Sequence, residues 1–265
     1  MSPYTAAQPT LRTTLNDAAH DLKRLRRDLP TLFFSVGLPI IFYILFGAMQ
    51  EYGQVEFNGG NVAAMVMIGM ALYAGATGAV GAAGSMVAEN RAGWGRQLAL
   101  TPLRSSQLGI SNFLNIAVRA ILPIAAVFIT GALTAASMQP AQWTLAFLAT
   151  VACAIPFGFY GMACAMLFPS ENTVSITTST IVILAFAGNV FMPLKESLLG
   201  VGRFTPMYGA QALSRGPLSE GAQMINSEQL FIEDPLWYAW VNIAVWTMVF
   251  VGLCLILHKR DKNRA

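Results

Sequence analysis

Residues that could carry catalytic chemistry are scarce in this sequence. Its two histidines, His20 and His258, are far apart and form no His-Glu-x-x-His metal motif. A GxxxxGK[ST] loop, which cradles nucleotide phosphates, is also missing, since the lysines follow Leu22, Leu194, His258 and Asp261 and never a glycine. The pattern therefore predicts neither an enzyme nor a bound metal or cofactor, and if ATP drives this protein, another chain must bind it.

The most informative polar stretch is residues 89–105, ENRAGWGRQLALTPLRS. Charged side chains flank its start, two glycines bracket Trp94, and Thr101–Pro102 closes a possible short helix. A short helix with an aromatic side chain and paired charges is typical of a contact surface for a soluble partner. An ordinary basic loop on the cytoplasmic side of a membrane is the alternative interpretation.

The composition indicates which elements must hold this stretch. The 265 residues are 55% hydrophobic and only 11% charged, whereas a soluble domain carries about 25% charged residues. Since a bilayer-crossing helix needs roughly 20 apolar residues, the chain is predicted to be an all-α integral membrane protein rather than a soluble α/β protein. Six transmembrane helices are expected, at about 31–50, 62–88, 107–136, 143–168, 172–192 and 237–257.

Lysine and arginine predict the orientation of these helices. With both termini inside, the cytoplasmic segments hold twelve basic residues and the outer segments hold three, namely Lys195, Arg203 and Arg215. Basic residues concentrate on the cytoplasmic side of membrane proteins. Both termini are therefore expected in the cytoplasm.

The segments outside the predicted spans also carry patterns. Residues 11–29 place leucines on one helix face, which is typical of an amphipathic helix lying on the membrane surface. The outer connection 193–236 begins apolar, which predicts a short re-entrant helical hairpin bounded by Pro193 and Pro206. Residues 219–235 are polar and are expected to form an outer cap or loop. The predicted layout is thus a cytoplasmic segment 1–30, a six-span transmembrane domain 31–257 and a cytoplasmic basic tail 258–265.

The stretch ENRAGWGRQLALTPLRSSQL resembles the coupling-helix region of ABC-2-type ABC transporter permeases, especially those of the daunorubicin- and linearmycin-resistance kind. That pattern has an acidic residue ending span two, a basic residue and glycine, an Arg-Gln-Leu core, and a Thr-Pro with leucine. The matching positions are Glu89, Arg91, Gly93, Trp94, Arg96, Gln97, Leu98, Thr101, Pro102 and Leu103. The outer stretch FMPLKESLLGVGRFTPMYGAQAL resembles the segment that follows span five in this family.

The resemblance implies the fold of a type V ABC exporter in the plasma membrane. Two permease copies, identical or paralogous, would pair in the lipid above two ATPase subunits, which bind ATP and magnesium. An amphipathic drug, antibiotic or lipid would be exported, and no nucleic acid is expected as a partner. Residues 91–103 would dock in a groove of the ATPase subunit.

The resemblance also implies that spans two and five line the path of the substrate. Their candidate lining residues are Met67, Met70, Thr177, Thr178, Thr180 and Asn189. Polar groups in lipid need partners, and methionine provides an adaptable apolar surface. The alternative is that the hydroxyls bond between or within helices and that the methionines fill the core.

A secondary transporter or channel independent of ATP is the competing function. Ion-coupled carriers usually place acidic residues or histidine within their spans. In this sequence Asp and Glu avoid the interior of every predicted span.

Overall fold

A computed structural model describes residues 33–89, 105–168, 170, 172–227 and 231–262. This part of the chain is mostly helical, and four of its helices are long and apolar enough to cross a bilayer. The prediction of an α-helical membrane protein is confirmed at this level. The surface helix predicted at 11–29 lies outside the described residues.

The described elements follow one another in a simple order. Helix α1 (Leu38–Tyr43) lies between two π-helical turns, Phe33–Gly37 and Ile44–Ala48, and a 3-10 turn (Glu51–Gln54) follows. Then come β1 (Glu56–Phe57), β2 (Gly60–Asn61), α2 (Val62–Glu89), α3 (Ser105–Ala132), α4 (Pro140–Ala154), α5 (Pro156–Leu167), α6 (Thr173–Ala187), α7 (Glu196–Gly202), α8 (Pro206–Ser219), β3 (Ala222–Met224), β4 (Phe231–Glu233) and α9 (Leu236–Lys262).

Four of the six predicted spans coincide with long apolar helices. They are Val62–Val87, Phe113–Ala132, Pro140–Leu167 and Leu236–Arg260. The third of these joins α4 and α5 in one rod, interrupted where Pro156 has no backbone N–H to donate. The remaining apolar helices, Phe33–Ala48 and Thr173–Ala187, are shorter. The 15 residues of the latter rise by about 22 Å, less than the roughly 30 Å of the hydrocarbon core, so six full spans remain a prediction.

Contacts along α2 give the relative directions of the helices. The contacts between α2 and α3 run in opposite order along the two helices, so these helices are antiparallel. Contacts with the α4–α5 rod run in the same order, so that rod is parallel to α2. The defining pairs are Met67–Gly131 and Gly78–Arg119 for α3, and Gly75–Ala154 and Val80–Gly161 for the rod.

Helix α2 is the centre of the bundle. Within its most apolar window 94% of the residues are buried, compared with 22% for the span in α9. Small residues make this possible, because they let helix backbones approach closely in lipid. At Gly78, for example, a Cβ would collide with the carbonyl oxygen of Arg119 on α3.

Connections on one side of the bundle hold one another in place. Asn61, at the start of α2, donates from Nδ2 to the Ala135 carbonyl (2.7 Å) and accepts from the Ser137 amide (3.0 Å) after α3. Phe57 stacks on Phe231 of β4 with ring centroids 4.4 Å apart. We call this side the capped end of the bundle.

Where the outer hairpin was predicted, the structure has two helices, α7 and α8, and a re-entrant hairpin remains a prediction. Pro206 is the first residue of α8, which continues to Ser219. Proline is favoured there because the first helical N–H has no intrahelical partner in any case. Pro193 precedes the first arm, α7, as expected. Helix α8 packs against α2, α4, α6 and α9, so it is an integral part of the bundle.

The polar segment after α8 forms a small β-hairpin. Ala222–Met224 pairs antiparallel with Phe231–Glu233, and a parallel bridge joins Leu194 to Ile225. This hairpin lies over the end of α6, as a cap on the bundle.

Candidate functional site

The predicted coupling segment, residues 89–105, lies almost entirely outside the described residues. Only the backbone of Glu89, the last residue of α2, belongs to the described part. The other positions of that prediction lie outside it, namely Arg91, Gly93, Trp94, Arg96, Gln97, Leu98, Thr101, Pro102 and Leu103. In the sequence this segment connects α2 to α3, and these two helices form the most extensively packed helix pair of the described part.

The predicted path methionines are core residues in this conformation. Met67 and Met70 are both completely buried by helices of the same chain. Met67 lies directly against Gly131 of α3. Neither side chain reaches a surface that a substrate or a second copy could touch, so packing explains both residues.

The hydroxyls predicted to line a path mostly bond within α6. Thr177 donates to the Thr173 carbonyl (2.7 Å), Thr178 to the Val174 carbonyl (2.8 Å) and Thr180 to the Thr177 carbonyl (2.6 Å). Such bonds to the preceding turn satisfy a hydroxyl without any external partner. Thr180 also pairs with the Tyr160 hydroxyl of α5 at 2.5 Å. Thr177 is buried, whereas Thr178 and Thr180 are half-buried.

The exposed face of α6 carries different residues. Ser175, Ile176 and Ser179 are exposed on its first half, and Ile183 and Phe186 on its second half. The two serines of this stripe lie in its first half together with Ile176, and its second half, towards the capped end, is apolar. Of the hydroxyls on α6, those of Ser175 and Ser179 are the ones on a free surface of the single chain.

Asn189 ends α6 and is buried. Its φ of 62° is in the left-handed region, which asparagine tolerates at a helix C-terminus. The side chain donates to the Met224 carbonyl of β3 (2.9 Å) and accepts from the Leu194 amide (2.9 Å). Asn189 thereby joins the end of α6 to the cap.

Arg215 of α8 is the main polar group that the sequence patterns did not single out. It is only 4% exposed. Its Nε donates to the Met65 carbonyl of α2 (2.9 Å), while Nη1 and Nη2 donate to the Asn189 (3.2 Å) and Val190 (3.0 Å) carbonyls. One side chain therefore links α8, α2 and the end of α6.

Backbone carbonyls accept the described hydrogen bonds of the Arg215 guanidinium. Burial lowers the pKa of Arg215 to about 9, which leaves the guanidinium protonated at neutral pH. Two of the accepting residues, Asn189 and Val190, directly follow the end of α6, where the helix dipole favours a cation. Within the described ranges no carboxylate forms an ion pair with Arg215. Three of its five N–H groups donate to the carbonyls given above.

Gly69 provides the space for this guanidinium. A Cβ at position 69 would lie 2.5 Å from Nη2 of Arg215 and 2.9 Å from the Val190 carbonyl oxygen. Any side chain there would displace either the guanidinium or the end of α6. Gly69 thus has a specific packing role beside Arg215.

A cavity of about 330 Å³ lies next to Arg215 at the capped end. Tyr52, Val55 and Met192 line it and are about half exposed, whereas Val62 and Arg215 line it and are buried. The lining therefore extends from exposed residues to the buried Arg215. The other described lining residues are mostly apolar, namely Phe46, Val66, Val190, Phe191, Pro193, Met224, Ile225 and Phe231. The polar ones are Asn189, Asn226 and Ser227.

A second polar cluster fixes the turn between α7 and α8. Arg203 donates to Asp234 Oδ2 at 3.0 Å, and the Tyr208 hydroxyl donates to the same oxygen. Burial, and then the hydrogen bond to Asp234, raises the pKa of Tyr208. Asn242 and Trp246 of α9 donate to carbonyls of the turn, at 2.7 and 2.9 Å. The cluster anchors the hairpin to α9.

Comparison with known proteins adds no assignment. No family model matches the chain, and no curated protein matches it.

Proposed function

We propose that this chain is the permease subunit of an ABC-2-type ABC exporter in the plasma membrane, with both termini in the cytoplasm. It moves an amphipathic drug, antibiotic or lipid, and a separate subunit hydrolyses ATP. The observation that carries the proposal is the segment ENRAGWGRQLALTPLRSSQL, which resembles the coupling region of such permeases.

The position of this segment supports a coupling role. It joins α2, the most buried of the long helices, to α3, which packs closely on it at Gly78. Close-packed interiors transmit displacement because they contain little free space. A movement imposed on residues 91–103 is therefore passed directly to the centre of the bundle.

The exposed face of α6 supports pairing with a second copy or a paralogue. Ser175, Ser179 and Phe186 lie on this face and are unpacked in the single chain. A face that is polar at one end and apolar at the other suits a path for amphipathic molecules between two permeases. This proposal replaces the buried Met67 and Thr177 with exposed α6 residues as the lining of the path.

The coupling role is tested with the double variant Trp94→Ala/Arg96→Ala, compared with Trp240→Ala/Lys259→Ala. Each pair removes one tryptophan and one basic residue, and Trp240 and Lys259 are exposed on α9. A tryptophan at the centre of an interface commonly contributes about 2 kcal/mol or more to the binding free energy. Its loss therefore weakens binding roughly 30-fold. The measurement is the ATPase activity that co-purifies with the chain, together with its melting temperature.

The proposal expects the first variant to lose most of the co-purifying ATPase activity while its melting temperature stays unchanged. The α9 control should keep both. Full ATPase activity in the Trp94→Ala/Arg96→Ala variant would contradict the coupling role. Transport driven by an ion gradient in vesicles without any ATPase would favour the secondary transporter instead.

A further inference from the structure

The cavity at the capped end combines an apolar wall with one buried positive charge. Its volume of about 330 Å³ is within the range of small-molecule pockets, about 300–1,000 Å³. Among the described residues that line it, Arg215 is the one that carries a charge, and none of these residues is a carboxylate that would compete for the guanidinium. An electrically neutral apolar ligand would leave this charge without an anionic partner.

From this arrangement we infer that the cavity is a binding site for an anionic amphiphile. The carboxylate or phosphate head lies against Arg215, and the apolar body lies along the wall formed by Val62, Val66 and Phe191. Two N–H groups of the guanidinium remain beyond the three that bond to carbonyls. Hydrogen bonds between a guanidinium and an anion are short and about twice as strong as neutral ones.

The mouth of the cavity suits entry of such a molecule. Tyr52, Val55 and Met192 are 45%, 44% and 53% exposed. They form a largely apolar rim that the hydrocarbon part of an amphiphile can pass. Arg215, in contrast, is only 4% exposed. The head group therefore enters first, and the apolar body fills the space behind it. This site does not depend on an ATPase partner, so it stands apart from the proposed export function.

The experiment uses the purified full chain in phosphatidylcholine nanodiscs with a matched pair of photoreactive probes. One is decanoic acid with a diazirine at the end of its chain, and the other is the corresponding decanol. Labelled residues are identified by mass spectrometry. The exposed residues Val241 and Met248 of α9, whose exposures are 51% and 66%, serve as an internal reference.

The acid is expected to label the cavity residues at a concentration about tenfold or more below that of the alcohol, given the strength of charged hydrogen bonds. Both probes should label α9 alike. Equal concentration dependence of acid and alcohol at the cavity residues would overturn the inference.

Two variants separate ligand binding from stability. Val55→Trp narrows the mouth without touching Arg215, and Val241→Trp is the control on α9, since both residues are about half exposed. Cavity labelling by the acid should fall about tenfold in the first variant and stay unchanged in the second. Unchanged labelling in Val55→Trp would overturn the inference. Arg215→Gln should abolish the preference for acid, and if that variant does not fold, the Val55→Trp result decides.

Competition identifies the source of the anionic head group. If phosphatidylglycerol in the nanodisc suppresses labelling by the acid, the site binds a membrane lipid. If only added decanoate suppresses it, the site binds a free amphiphile. Both results support the anionic site, whereas suppression by decanol at the same concentration as decanoate would contradict it.

Discussion

Replacing Gly161 with alanine tests a contact in which α5 lies directly against the backbone of α2. The added Cβ would lie 2.7 Å from the carbonyl oxygen of Val80 and 2.8 Å from its Cα. Carbon atoms pack best at about 3.5–4.0 Å, so the two helices would have to separate by about 0.7 Å or more. Overpacking of this kind costs about 1–3 kcal/mol.

Gly81→Ala is the matched control, since Gly81 is also within a helix and has nothing within 4 Å of the position of its Cβ. Both substitutions gain the same helix propensity, up to about 1 kcal/mol. The difference between the two variants therefore isolates the overlap with Val80. At roughly 2–4 °C per kcal/mol, Gly161→Ala should melt about 2–12 °C below Gly81→Ala.

The assay is thermal unfolding of the two purified variants and the unsubstituted protein in one detergent, followed by tryptophan fluorescence. Gly81→Ala should melt at or above the unsubstituted protein. Equal melting temperatures for the two variants would refute the close contact between α2 and α5, and with it the central position of α2.

Two further predictions concern polar groups. Tyr208→Phe removes a hydroxyl that donates to Asp234 and should lower the free energy of unfolding by about 1 kcal/mol. Tyr238→Phe loses a longer hydrogen bond of 3.3 Å and should lower it less. The reverse order in thermal unfolding would contradict the role of the Asp234 cluster. Thr177→Val should change stability by only about 0.6 kcal/mol or less and leave self-association intact, while Ser179→Trp on the exposed face should weaken self-association. Mass photometry of the purified variants measures this, and an intact oligomer in the tryptophan variant would argue against pairing through α6.

The sequence predicts the long helices well, because length and lack of charge are local properties. The helix α2 illustrates this, since its charge-free run and many small residues already indicate a closely packed span. Pro193 and Pro206 likewise indicate points where helical structure is interrupted. Their consequence was only partly predictable, because proline is compatible both with the end of a hairpin and with the first turn of a helix, and packing of α8 decides for the latter.

The polar site was less predictable, because burial depends on contacts between distant segments. Arg215 counts in the sequence as one of three outer basic residues, and its bond to Met65 joins residues 150 positions apart. A buried guanidinium and an exposed one look the same in a sequence pattern. For the same reason Met67 could be either an adaptable surface residue or a core residue, and its complete burial selects the core.

The account depends most on contact between residues 89–105 and a nucleotide-hydrolysing partner. That contact can be measured directly with a photoreactive amino acid in place of Gln97, in cells that produce the protein and export its substrate. Crosslinking is followed by mass spectrometry. The account predicts a crosslink to a chain that contains a GxxxxGK[ST] phosphate-binding loop. A preparation that transports fully but gives no crosslink from position 97 to such a chain would contradict it.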